Sequence, residues 1–487
     1  MADLRDILYK VNITSTSGDM EQDVKGIAFD SRVVKHGYLF IATKGVQSDG
    51  HQFIDMAINK GASSIVCEKL PDNLHEAVSY VTVKNSKQAL GIIASNFFGN
   101  PSAKLKLIGV TGTNGKTTVA TLMFKLYSSL GKKSGLISTV ENKIGDQTIP
   151  ATHTTPDPIQ LNRLLQQMVD EGCTYCFMEV SSHAIDQERI AGMNYELAIF
   201  TNISHDHLDY HKTFENYIKV KKRFFDNLNS HATSLVNADD KRGMIMQQNT
   251  KAKKFSFGLK KVVDFKGKII TNSIEGLELE VDNKSVWFKL IGDFNAYNLL
   301  AVYGGAILLG EDSSQVLTIL SSMSGAEGRF ELINPGSRIT AIVDYAHTPD
   351  ALKNVLETIQ QFRSGNEQII TVIGCGGNRD RTKRPLMAAI ACRLSNKVVL
   401  TSDNPRDEDP MDIIREMQSG IGPTDSKKTL VMPDREQAIK TACMIAKEKD
   451  IVLVAGKGHE KYQEINGIKH PFDDKEVLER MLKMFAN

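Results

Sequence analysis

Short apolar runs recur along the chain, and amphipathic stretches separate them. In the middle of the chain four runs have the length of strands: residues 135–139, 175–180, 197–202 and 234–237. This alternation predicts a parallel sheet with helices on its faces. Over residues 262–290 the pattern changes to short alternating runs separated by turns. That change predicts an antiparallel section that closes the domain, and a helix is predicted over residues 295–309.

The alternation continues on both sides of this middle segment. Before it, a helix is predicted over residues 51–60, and strands at 27–29, 38–42 and 64–67. After it, a fresh series of strands is predicted at 339–343, 368–373, 397–401 and 451–455. The pairs Asn100-Pro101 and Asn334-Pro335 break helices and strands, so they separate the three series. We therefore expect three α/β domains, at residues 1–100, 101–334 and 335–487.

A glycine-rich turn joins two of the central elements. Residues 105–110 predict a buried strand, residues 119–130 predict a helix, and between them lies Gly112-Thr113-Asn114-Gly115-Lys116-Thr117-Thr118. Backbone N–H groups of such a turn bind an anion, the lysine reaches the outer phosphates, and the next hydroxyl ligates Mg²⁺. The turn is shorter than the standard P-loop, which needs glycine where this chain has Val110. We expect the chain to bind and consume a nucleoside triphosphate.

Composition excludes several classes of protein. Hydrophobic residues make up 41% of the 487 residues and charged residues 24%, as in ordinary globular proteins. A formal net charge of +1 gives no support for wholesale binding to nucleic acid or to an anionic membrane. The first residues lack the apolar core of a signal peptide, and the run at 299–309 is too short to span a bilayer.

Six cysteines are scattered along the chain. Cys173 and Cys176 have the spacing of a redox or zinc motif, but no second pair completes a tetrahedral site. Because residues 175–180 look like a buried strand, reduced core cysteines are the favoured interpretation. Reduced cysteines fit a cytoplasmic protein.

Polar side chains follow two neighbouring central strands. Glu179 and His183 end one strand, and His205-Asp206-His207-Leu208-Asp209-Tyr210-His211 follows the next. Ligands of open α/β sheets bind at the carboxyl ends of the strands. Carboxylate and imidazole groups there predict Mg²⁺ that bridges phosphates. The histidine spacing would also suit zinc in a hydrolase, or a solvated polar loop, but a neighbouring phosphate loop favours magnesium.

Arginines follow two strands of the third series. Arg379, Arg381 and Arg384 follow one strand, and Asp403-Asn404-Pro405-Arg406 follows the next. Since guanidinium groups bind carboxylates through paired hydrogen bonds, these loops predict a pocket for an acidic small molecule. The alternative is a set of surface ion pairs. Gly456-Lys457-Gly458-His459-Glu460 follows the last apolar strand, where Glu460 is placed to bind a substrate ammonium.

Together these motifs resemble those of the Mur ligase family, the ATP-dependent amide-forming enzymes of peptidoglycan synthesis. The resemblance covers almost the whole chain. Besides the segments 112–118, 205–211, 403–406 and 456–460, it rests on Asp30-Ser31-Arg32, His153-Thr154-Thr155-Pro156, Glu179-Val180-Ser181-Ser182-His183, Asn295-Ala296-Tyr297-Asn298, Gly328-Arg329-Phe330-Glu331 and Asp344-Tyr345-Ala346-His347-Thr348-Pro349.

The resemblance implies a fold and an activity. The three domains would be a small α/β domain for the UDP group, a central ATPase domain with a mostly parallel sheet, and a Rossmann-like domain for the incoming amino acid. The motifs are closest to those of members that add meso-diaminopimelate to UDP-N-acetylmuramoyl-L-alanyl-D-glutamate through an acyl phosphate. ATP and Mg²⁺ would be required.

The resemblance also assigns roles to residues. Lys116, Glu179, His205 and Lys221 would be catalytic, and Mg²⁺ would be held by Thr117, Glu179, His205 and Lys221 as a carbamate. ATP would contact residues 112–118 with Asn295, Asn298, Arg329, Asp344 and His347. The UDP-sugar dipeptide would contact Ser31, Gly45, Gln47, Thr154, Thr155, Ser181, Gln187 and Arg189. Diaminopimelate would contact Arg379, Asp403, Asn404, Pro405, Arg406, Gly456 and Glu460.

Two of these assignments depend on the resemblance in different degrees. By spacing alone Lys221 belongs to a basic helix face, and only the resemblance singles it out as the family's carbamylated lysine. For Arg406 the chemistry agrees with the resemblance, because a guanidinium clamps the far carboxylate of diaminopimelate and repels the far ammonium of lysine.

Other functions stay open. A folylpolyglutamate synthase shares the short phosphate loop, but the segments at Ser31 and Thr154 belong to users of UDP-sugars. A nucleotide-binding switch would need no arginine pocket, and a zinc hydrolase would need no ATP. We expect a cytoplasmic monomer that acts on small molecules, with neither nucleic acid nor a membrane as partner.

Overall fold

A computed structural model describes residues 2–45, 48–151, 153–333, 338–363 and 365–485. Over these residues the strands form three large sheets, with five, eleven and six strands, and two isolated pairs. The first sheet belongs to the part of the chain before residue 100, the second to the middle and the third to the end. The fold is thus α/β in three units, as the sequence predicts.

Among its described residues, the first unit contains seven strands, three α-helices and three 3-10 turns. The strands are β1 (Ala2–Asp3), β2 (Ile13–Ser17), β3 (Asp23–Val24), β4 (Gly26–Ala28), β5 (Tyr38–Ile41), β6 (Ala62–Cys67) and β7 (Ser79–Val83). The helices are α1 (Leu4–Ile7), α2 (Ile54–Asn59) and α3 (Ser86–Phe97), and the 3-10 turns are Ser31–Val33, Gly50–Phe53 and Pro101–Ala103. The sheet order is β2-β7-β6-β5-β4, parallel except for β2.

The described part of the central unit contains eleven strands and eight helices. The strands are β8 (Lys106–Thr111), β9 (Ser134–Ile137), β10 (Glu141–Ile144), β11 (Gln147–Pro150), β12 (Tyr175–Glu179), β13 (Leu197–Phe200), β14 (Thr233–Asn237), β15 (Lys253–Gly258), β16 (Phe265–Ser273), β17 (Gly276–Val281) and β18 (Lys284–Phe288). The helices are α4 (Lys116–Ser129), α5 (Pro158–Asp170), α6 (Ser182–Asp186), α7 (Leu208–His211), α8 (Phe214–Asp226), α9 (Gly243–Met246), α10 (Asp293–Leu308) and α11 (Ser313–Ser322).

The central sheet has the order β11-β10-β9-β12-β8-β13-β14-β15-β16-β17-β18. Its middle strands are parallel, from β9 to β15, and β16 to β18 form the predicted antiparallel section. Helices α4 and α10 bury one face of the sheet, and α5 and α8 bury the other. Because β8 lies between β12 and β13, the segments that follow these three strands meet at one edge.

In the third unit the residues that the structure describes form eight strands and six helices. The strands are β19 (Glu331–Ile333), β20 (Thr340–Asp344), β21 (Ile369–Ile373), β22 (Lys397–Leu400), β23 (Thr429–Val431), β24 (Ile451–Ala455), β25 (Tyr462–Ile465) and β26 (Ile468–Pro471). The helices are α12 (Pro349–Phe362), α13 (Lys383–Leu394), α14 (Pro410–Gln418), α15 (Pro423–Ser426), α16 (Arg435–Ile445) and α17 (Asp474–Met484). The sheet order is β19-β20-β24-β21-β22-β23, and only β19 is antiparallel to its neighbour.

The third sheet begins earlier in the chain than the predicted domain boundary. Strand β19 already pairs with β20, although it precedes the breaker Asn334-Pro335. That breaker lies outside the described residues, so the boundary at 334/335 stays a prediction. The six cysteines are buried and free, as predicted. Among the described residues, no helix is both long and apolar enough to cross a membrane.

Candidate functional site

A cleft of about 890 Å³ opens where the central and third units face each other. It is lined by the phosphate loop, by the ends of β12 and β13, and by the loops after β21, β22 and β24. These are carboxyl ends of parallel strands in two different sheets, the edge at which α/β folds bind ligands. The geometry therefore brings the predicted nucleotide and amino-acid residues into one cavity.

The phosphate loop is shaped by two glycines with positive φ. A Cβ on Gly112 (φ +156°) would lie 1.9 Å from Thr201 Oγ1, and one on Gly115 (φ +85°) would lie 2.4 Å from Asn298 Oδ1. Neither position has space for a side chain. The loop is also tied to the end of β13, because Asn202 Oδ1 accepts a hydrogen bond from the Asn114 N–H at 2.9 Å. The loop is thus held rigidly at the start of α4.

Lys116 begins α4 and lies against the loop. Its Nζ donates to the carbonyls of Gly112 and Thr113 at 2.9 and 2.8 Å. Burial lowers its pKa, and the carboxylates of Glu179 and Asp206 oppose that effect. An ammonium that is partly desolvated interacts strongly with a phosphate. Thr117 and Thr118 follow it and line the same cleft.

Glu179 ends β12 as a fully buried carboxylate. Its Oε1 accepts the Thr139 N–H at 2.8 Å, but its Oε2 is buried without a hydrogen-bond partner among the described residues. An unpaired buried carboxylate oxygen is costly unless a cation completes it. Glu179 faces the cleft beside Lys116, so this oxygen fits a metal ligand.

Lys221 lies on the buried face of α8. Helix α8 begins at the Thr213 cap, and Lys221 stands one turn after Tyr217 and one turn before Phe224 and Phe225, all of them buried. Its Nζ donates to the Gly112 carbonyl at 2.9 Å and lies 4.9 Å from the Tyr217 ring centroid. Burial, with the nearby Lys116 charge, holds the pKa of Lys221 well below its usual range. Burial at this place therefore favours the unprotonated, nucleophilic form of the amine.

The structure does not bring His205 to the cleft. His205 is exposed, whereas Asp206 and His207, the next two residues, line the cavity. Hydrogen bonds from the Ile203 N–H to Asp240 and from the Ser204 N–H to Thr113 fix the start of this segment. His207 has φ +54° where α7 begins, which turns its ring toward His183, at 4.9 Å between ring centroids. His207 therefore stands where the sequence placed His205.

The zinc alternative lacks a suitable set of ligands. Among the described residues, no group of three or more His, Cys, Asp or Glu side chains is arranged to hold a metal. Of the three spaced histidines, His205 is exposed, and His211 is buried with its Nε2 3.0 Å from Ser182 Oγ. Burial lowers the pKa of both His207 and His211, so both rings are neutral.

The other predicted nucleotide residues surround the loop. Arg329 Nη2 donates to Thr117 Oγ1 at 3.2 Å, and its guanidinium stacks over Tyr345, 4.3 Å from the ring centroid. His347 lines the cleft near Arg329. Asn295, Asn298 and Asp344 are buried and do not line it. Asn298 supports the loop at Gly115, Asn295 accepts from Asn298 at 2.9 Å, and Asp344 accepts the N–H groups of Phe330 and Ala346.

The residues predicted for the UDP-sugar dipeptide fall into two groups. Thr154, Thr155, Ser181 and Arg189 line the cleft. Arg189 donates to the Thr155 carbonyl at 2.7 Å and to Gln187 Oε1. Gln187 does not line the cleft itself, but it orients Arg189, which does. Ser31 and Gly45 lie in the first unit, away from the cleft lining. Gln47 lies outside the described residues.

The loops of the third unit form the amino-acid end of the cleft. Asp403, Asn404, Arg406, Gly456 and Glu460 all line it, as does the exposed Arg379. Asn404 Nδ2 donates to Glu460 Oε2 at 2.7 Å. Burial and the charge of Asp403 raise the pKa of Glu460. Two neighbouring carboxylates in a buried site favour a cationic partner.

Lys457 was not singled out from the sequence, and it supplies one such cation. It is fully buried, with Nζ 3.0 Å from Asn404 Oδ1 and 3.2 Å from Glu460 Oε2. The signal that could have found it is its place between two glycines directly after a buried strand. Gly456 (φ +116°) approaches Asp403 so closely that a Cβ would lie 2.6 Å from its Oδ2.

The predicted cluster of arginines divides into two kinds. Arg384 is fully buried between Glu408 and Glu416, and Arg381 also pairs with Glu416, so these two are structural ion pairs. Arg406 instead faces the cleft with its Nη1 donating to the Gly377 carbonyl at 2.8 Å. Pro405 is buried, and its carbonyl would lie 1.9 Å from a Cβ on Gly377.

Comparison with known proteins matches this arrangement. Three family models fit successive parts of the chain: "Mur ligase family, catalytic domain" at residues 23–98, "Mur ligase middle domain" at 110–306 and "Mur ligase, glutamate ligase domain" at 328–458. The chain belongs to the Mur ligase family. The family resemblance noted in the sequence is therefore confirmed.

Relatives of this Mur ligase include a curated protein and solved structures. The UDP-N-acetylmuramoyl-L-alanyl-D-glutamate--2,6-diaminopimelate ligase of Cytophaga hutchinsonii is 58% identical over 98% of this chain and 99% of its own. A solved structure of a ligase with the same name is 32% identical with a TM-score of 0.70, and the match covers 100% of this chain and 99% of that one.

A folylpolyglutamate synthase of Mycobacterium tuberculosis, solved with ADP and AMPPCP, shares the fold alone. It is 16% identical with a TM-score of 0.62, and the match covers 76% of this Mur ligase and 93% of that chain.

Proposed function

We propose that this Mur ligase is an ATP-dependent amide ligase that adds meso-2,6-diaminopimelate to UDP-N-acetylmuramoyl-L-alanyl-D-glutamate in peptidoglycan biosynthesis. One observation carries the proposal. A phosphate loop and a pocket of paired carboxylates and arginine share a single cleft, so a phosphorylated acid and an amine meet there. The names of the relatives support the same substrates.

The reaction has two chemical steps. The free carboxylate of the D-glutamyl residue attacks the γ-phosphorus of ATP, which forms an acyl phosphate and releases ADP. The amine of diaminopimelate then attacks the acyl carbon, and the tetrahedral adduct loses phosphate and a proton to give the amide. Activation is needed because a carboxylate resists nucleophiles. Lys116 and the loop N–H groups hold the phosphates and stabilise the charge that develops on them.

Magnesium would be held by Thr117, Glu179 and His207. The unpaired Oε2 of Glu179 and the neutral ring of His207 fit this role. His207 therefore replaces His205, which was predicted as the magnesium ligand. When bound there, a divalent ion would neutralise the charge of the phosphates. Oxygen ligands dominate such sites, so the phosphates and water would complete the coordination.

Lys221 would join this site as a carbamate. The unprotonated amine can attack CO₂, forming an N–C bond and releasing one proton, which turns the amine into an anionic oxygen ligand. A carbamate at this place would stand beside Gly112 and Thr111, below the phosphate loop. This assignment extends the family resemblance to the buried lysine that the structure places there.

The two ends of the cleft would select the substrates. Thr154, Thr155, Ser181 and Arg189 would hold the dipeptide, with Ser31, Gly45 and Gln47 toward the UDP group. At the other end Asp403 and Glu460 would bind an ammonium of diaminopimelate, and Arg406 with Arg379 its far carboxylate. Both amino acids carry a far ammonium, but lysine lacks the far carboxylate that would pair with Arg406 and offset the repulsion, so Arg406 would disfavour lysine.

Product analysis tests the proposal. Purified protein with ATP, Mg²⁺, the UDP-linked dipeptide and diaminopimelate should give the UDP-linked tripeptide by mass spectrometry, with one ADP formed for each product. ATP hydrolysis without a new amide would contradict it. The monomeric state stays a prediction that sedimentation would check.

A further inference from the structure

Arg406 has an unusual backbone for an arginine. Its φ is +53°, a left-handed conformation that residues with a Cβ adopt at a cost. Two main-chain hydrogen bonds hold it there. The Arg406 N–H donates to the Glu464 carbonyl at 3.0 Å, and the Asn466 N–H donates to the Arg406 carbonyl at 2.8 Å. The hairpin of β25 and β26 therefore fixes the backbone of this arginine.

The same hairpin also holds the Arg406 side chain. The Glu464 carboxylate lies 3.2 Å from Arg406 Nε, and the Gly377 carbonyl accepts from Nη1 at 2.8 Å. These two partners occupy Nε and Nη1, which lie on different edges of the planar guanidinium. Nη2 makes no hydrogen bond among the described residues, and Arg406 lines the cleft. The guanidinium is thus held at two nitrogens and keeps Nη2 available to a ligand.

Glu464 makes three separate contacts with the loop that contains Asn404 and Arg406. Its N–H donates to Asn404 Oδ1 at 2.9 Å, its carbonyl accepts from the Arg406 N–H, and its carboxylate pairs with Arg406 Nε. Opposite it in the hairpin stands Lys469, whose Nζ lies over the Tyr462 ring, 4.1 Å from the centroid. Lys469 is therefore turned away from competing for the Glu464 carboxylate.

We propose that Glu464 is a positioning residue that fixes the orientation of Arg406 and so sets the preference for an amino acid with a second carboxylate. The inference rests on the proposed function and adds a residue to it. The Arg406 side chain is 19% exposed and that of Glu464 26%, so the pair adds little to stability. Its effect is to remove rotamer freedom from a long side chain before substrate binds, which lowers the cost of binding.

Two substitutions at residue 464 test the proposal through the direction in which KM for diaminopimelate changes. With Glu464→Ala, Arg406 loses its partner at Nε, and we expect KM for diaminopimelate to rise by roughly fivefold while kcat stays within about twofold. Glu464→Gln keeps an acceptor for Nε, so its KM should rise less. If Glu464 merely competed with substrate for the Arg406 charge, both substitutions would lower KM, and the proposal would be overturned.

Controls separate positioning from damage to the hairpin. Ile468→Ala alters an exposed residue of the same hairpin, so KM for diaminopimelate should stay unchanged. KM for ATP should be the same in all variants, since the phosphate loop lies in another sheet. In an Arg406→Ala background, Glu464→Ala should have no further effect on KM, because the residue that it positions is gone.

The failures of the two proposals are distinguishable. If the wild-type protein forms amide from diaminopimelate but Glu464→Ala behaves as wild type, Glu464 has no positioning role. An equal rise of KM in the presence and absence of Arg406 would overturn the role as well. If the wild-type protein forms no amide at all, the proposed function fails, and this inference fails with it.

Discussion

The Nζ atom of Lys221 donates a hydrogen bond to the carbonyl of Gly112, at 2.9 Å, beneath the phosphate loop. A lysine from α8 thus stands in contact with the turn that binds phosphate, buried and away from bulk water. Such a group is expected to be functional, because an unpaired buried cation is costly and readily loses its proton.

Replacing Lys221 should abolish most activity. We expect Lys221→Ala to lower kcat by about 100-fold, since a metal ligand would be lost, and acetate to restore part of it. Lys219→Ala is the matched control, because Lys219 is on the same helix but exposed and paired with Glu215. A ¹³C-bicarbonate label should give a carbamate signal in the wild type and none in Lys221→Ala. Full activity of Lys221→Ala, together with no carbamate signal in the wild type, would contradict the role.

The two neighbouring histidines should differ in their effect on magnesium. His207 lines the cleft and His205 is exposed. We expect His207→Ala to raise the Mg²⁺ concentration for half-maximal activity by about tenfold, and His205→Ala to leave it unchanged. The measurement is a Mg²⁺ titration of ATP turnover. The reverse order would restore the sequence-based assignment of His205.

Arg406 should decide the use of diaminopimelate. We expect Arg406→Ala to lower kcat/KM for diaminopimelate by a factor that corresponds to more than about 2 kcal/mol of lost transition-state stabilisation, because a carboxylate bound in the cleft loses its charged partner. Arg381→Ala removes an arginine of the same unit that pairs with Glu416 at the surface, and it should have little effect. Steady-state kinetics with both variants would show the difference, and equal effects would remove Arg406 from the pocket.

Buried histidine should make the fold sensitive to acid. Burial lowers the pKa of His211 to about 4 from its ordinary value of 6.5. Below pH 6.5 the unfolded chain binds a proton at this residue that the folded chain does not, so stability is present above pH 6.5 and is lost as pH falls toward 4. The urea midpoint should therefore fall more steeply between pH 7 and 5 in wild type than in His211→Gln. Parallel curves would contradict the shift.

Much of the fold follows from the sequence because the strands of parallel sheets are buried and apolar. Strands β8, β12 and β13 lie within one or two residues of their predicted positions. The hairpins β10–β11 and β25–β26 escaped prediction, since their strands are short and partly polar, with little of the apolar pattern that marks a core. Their partners are set by tertiary packing.

The sequence predicts the site residues that are placed by a motif at a strand end. It does not predict those whose place depends on which way a side chain faces. Lys116, Glu179 and Arg406 meet at the cleft because each lies at or just after the carboxyl end of a parallel strand. His205 and His207 stand on either side of Asp206, and no spacing rule says which of them faces the cleft. The interpretation of Lys221 as part of a basic helix face was wrong, because Lys221 shares the buried face of α8 with Tyr217, Phe224 and Phe225.

The most direct test of the account is phosphate release from ATP in the presence of UDP-N-acetylmuramoyl-L-alanyl-D-glutamate, with either meso-diaminopimelate or L-lysine as the second substrate. We predict release with diaminopimelate and little with lysine, because Arg406 would bind the far carboxylate of diaminopimelate, which lysine lacks. Equal release with both would keep the ligase and contradict the role of Arg406. No release with either would contradict the proposed function itself.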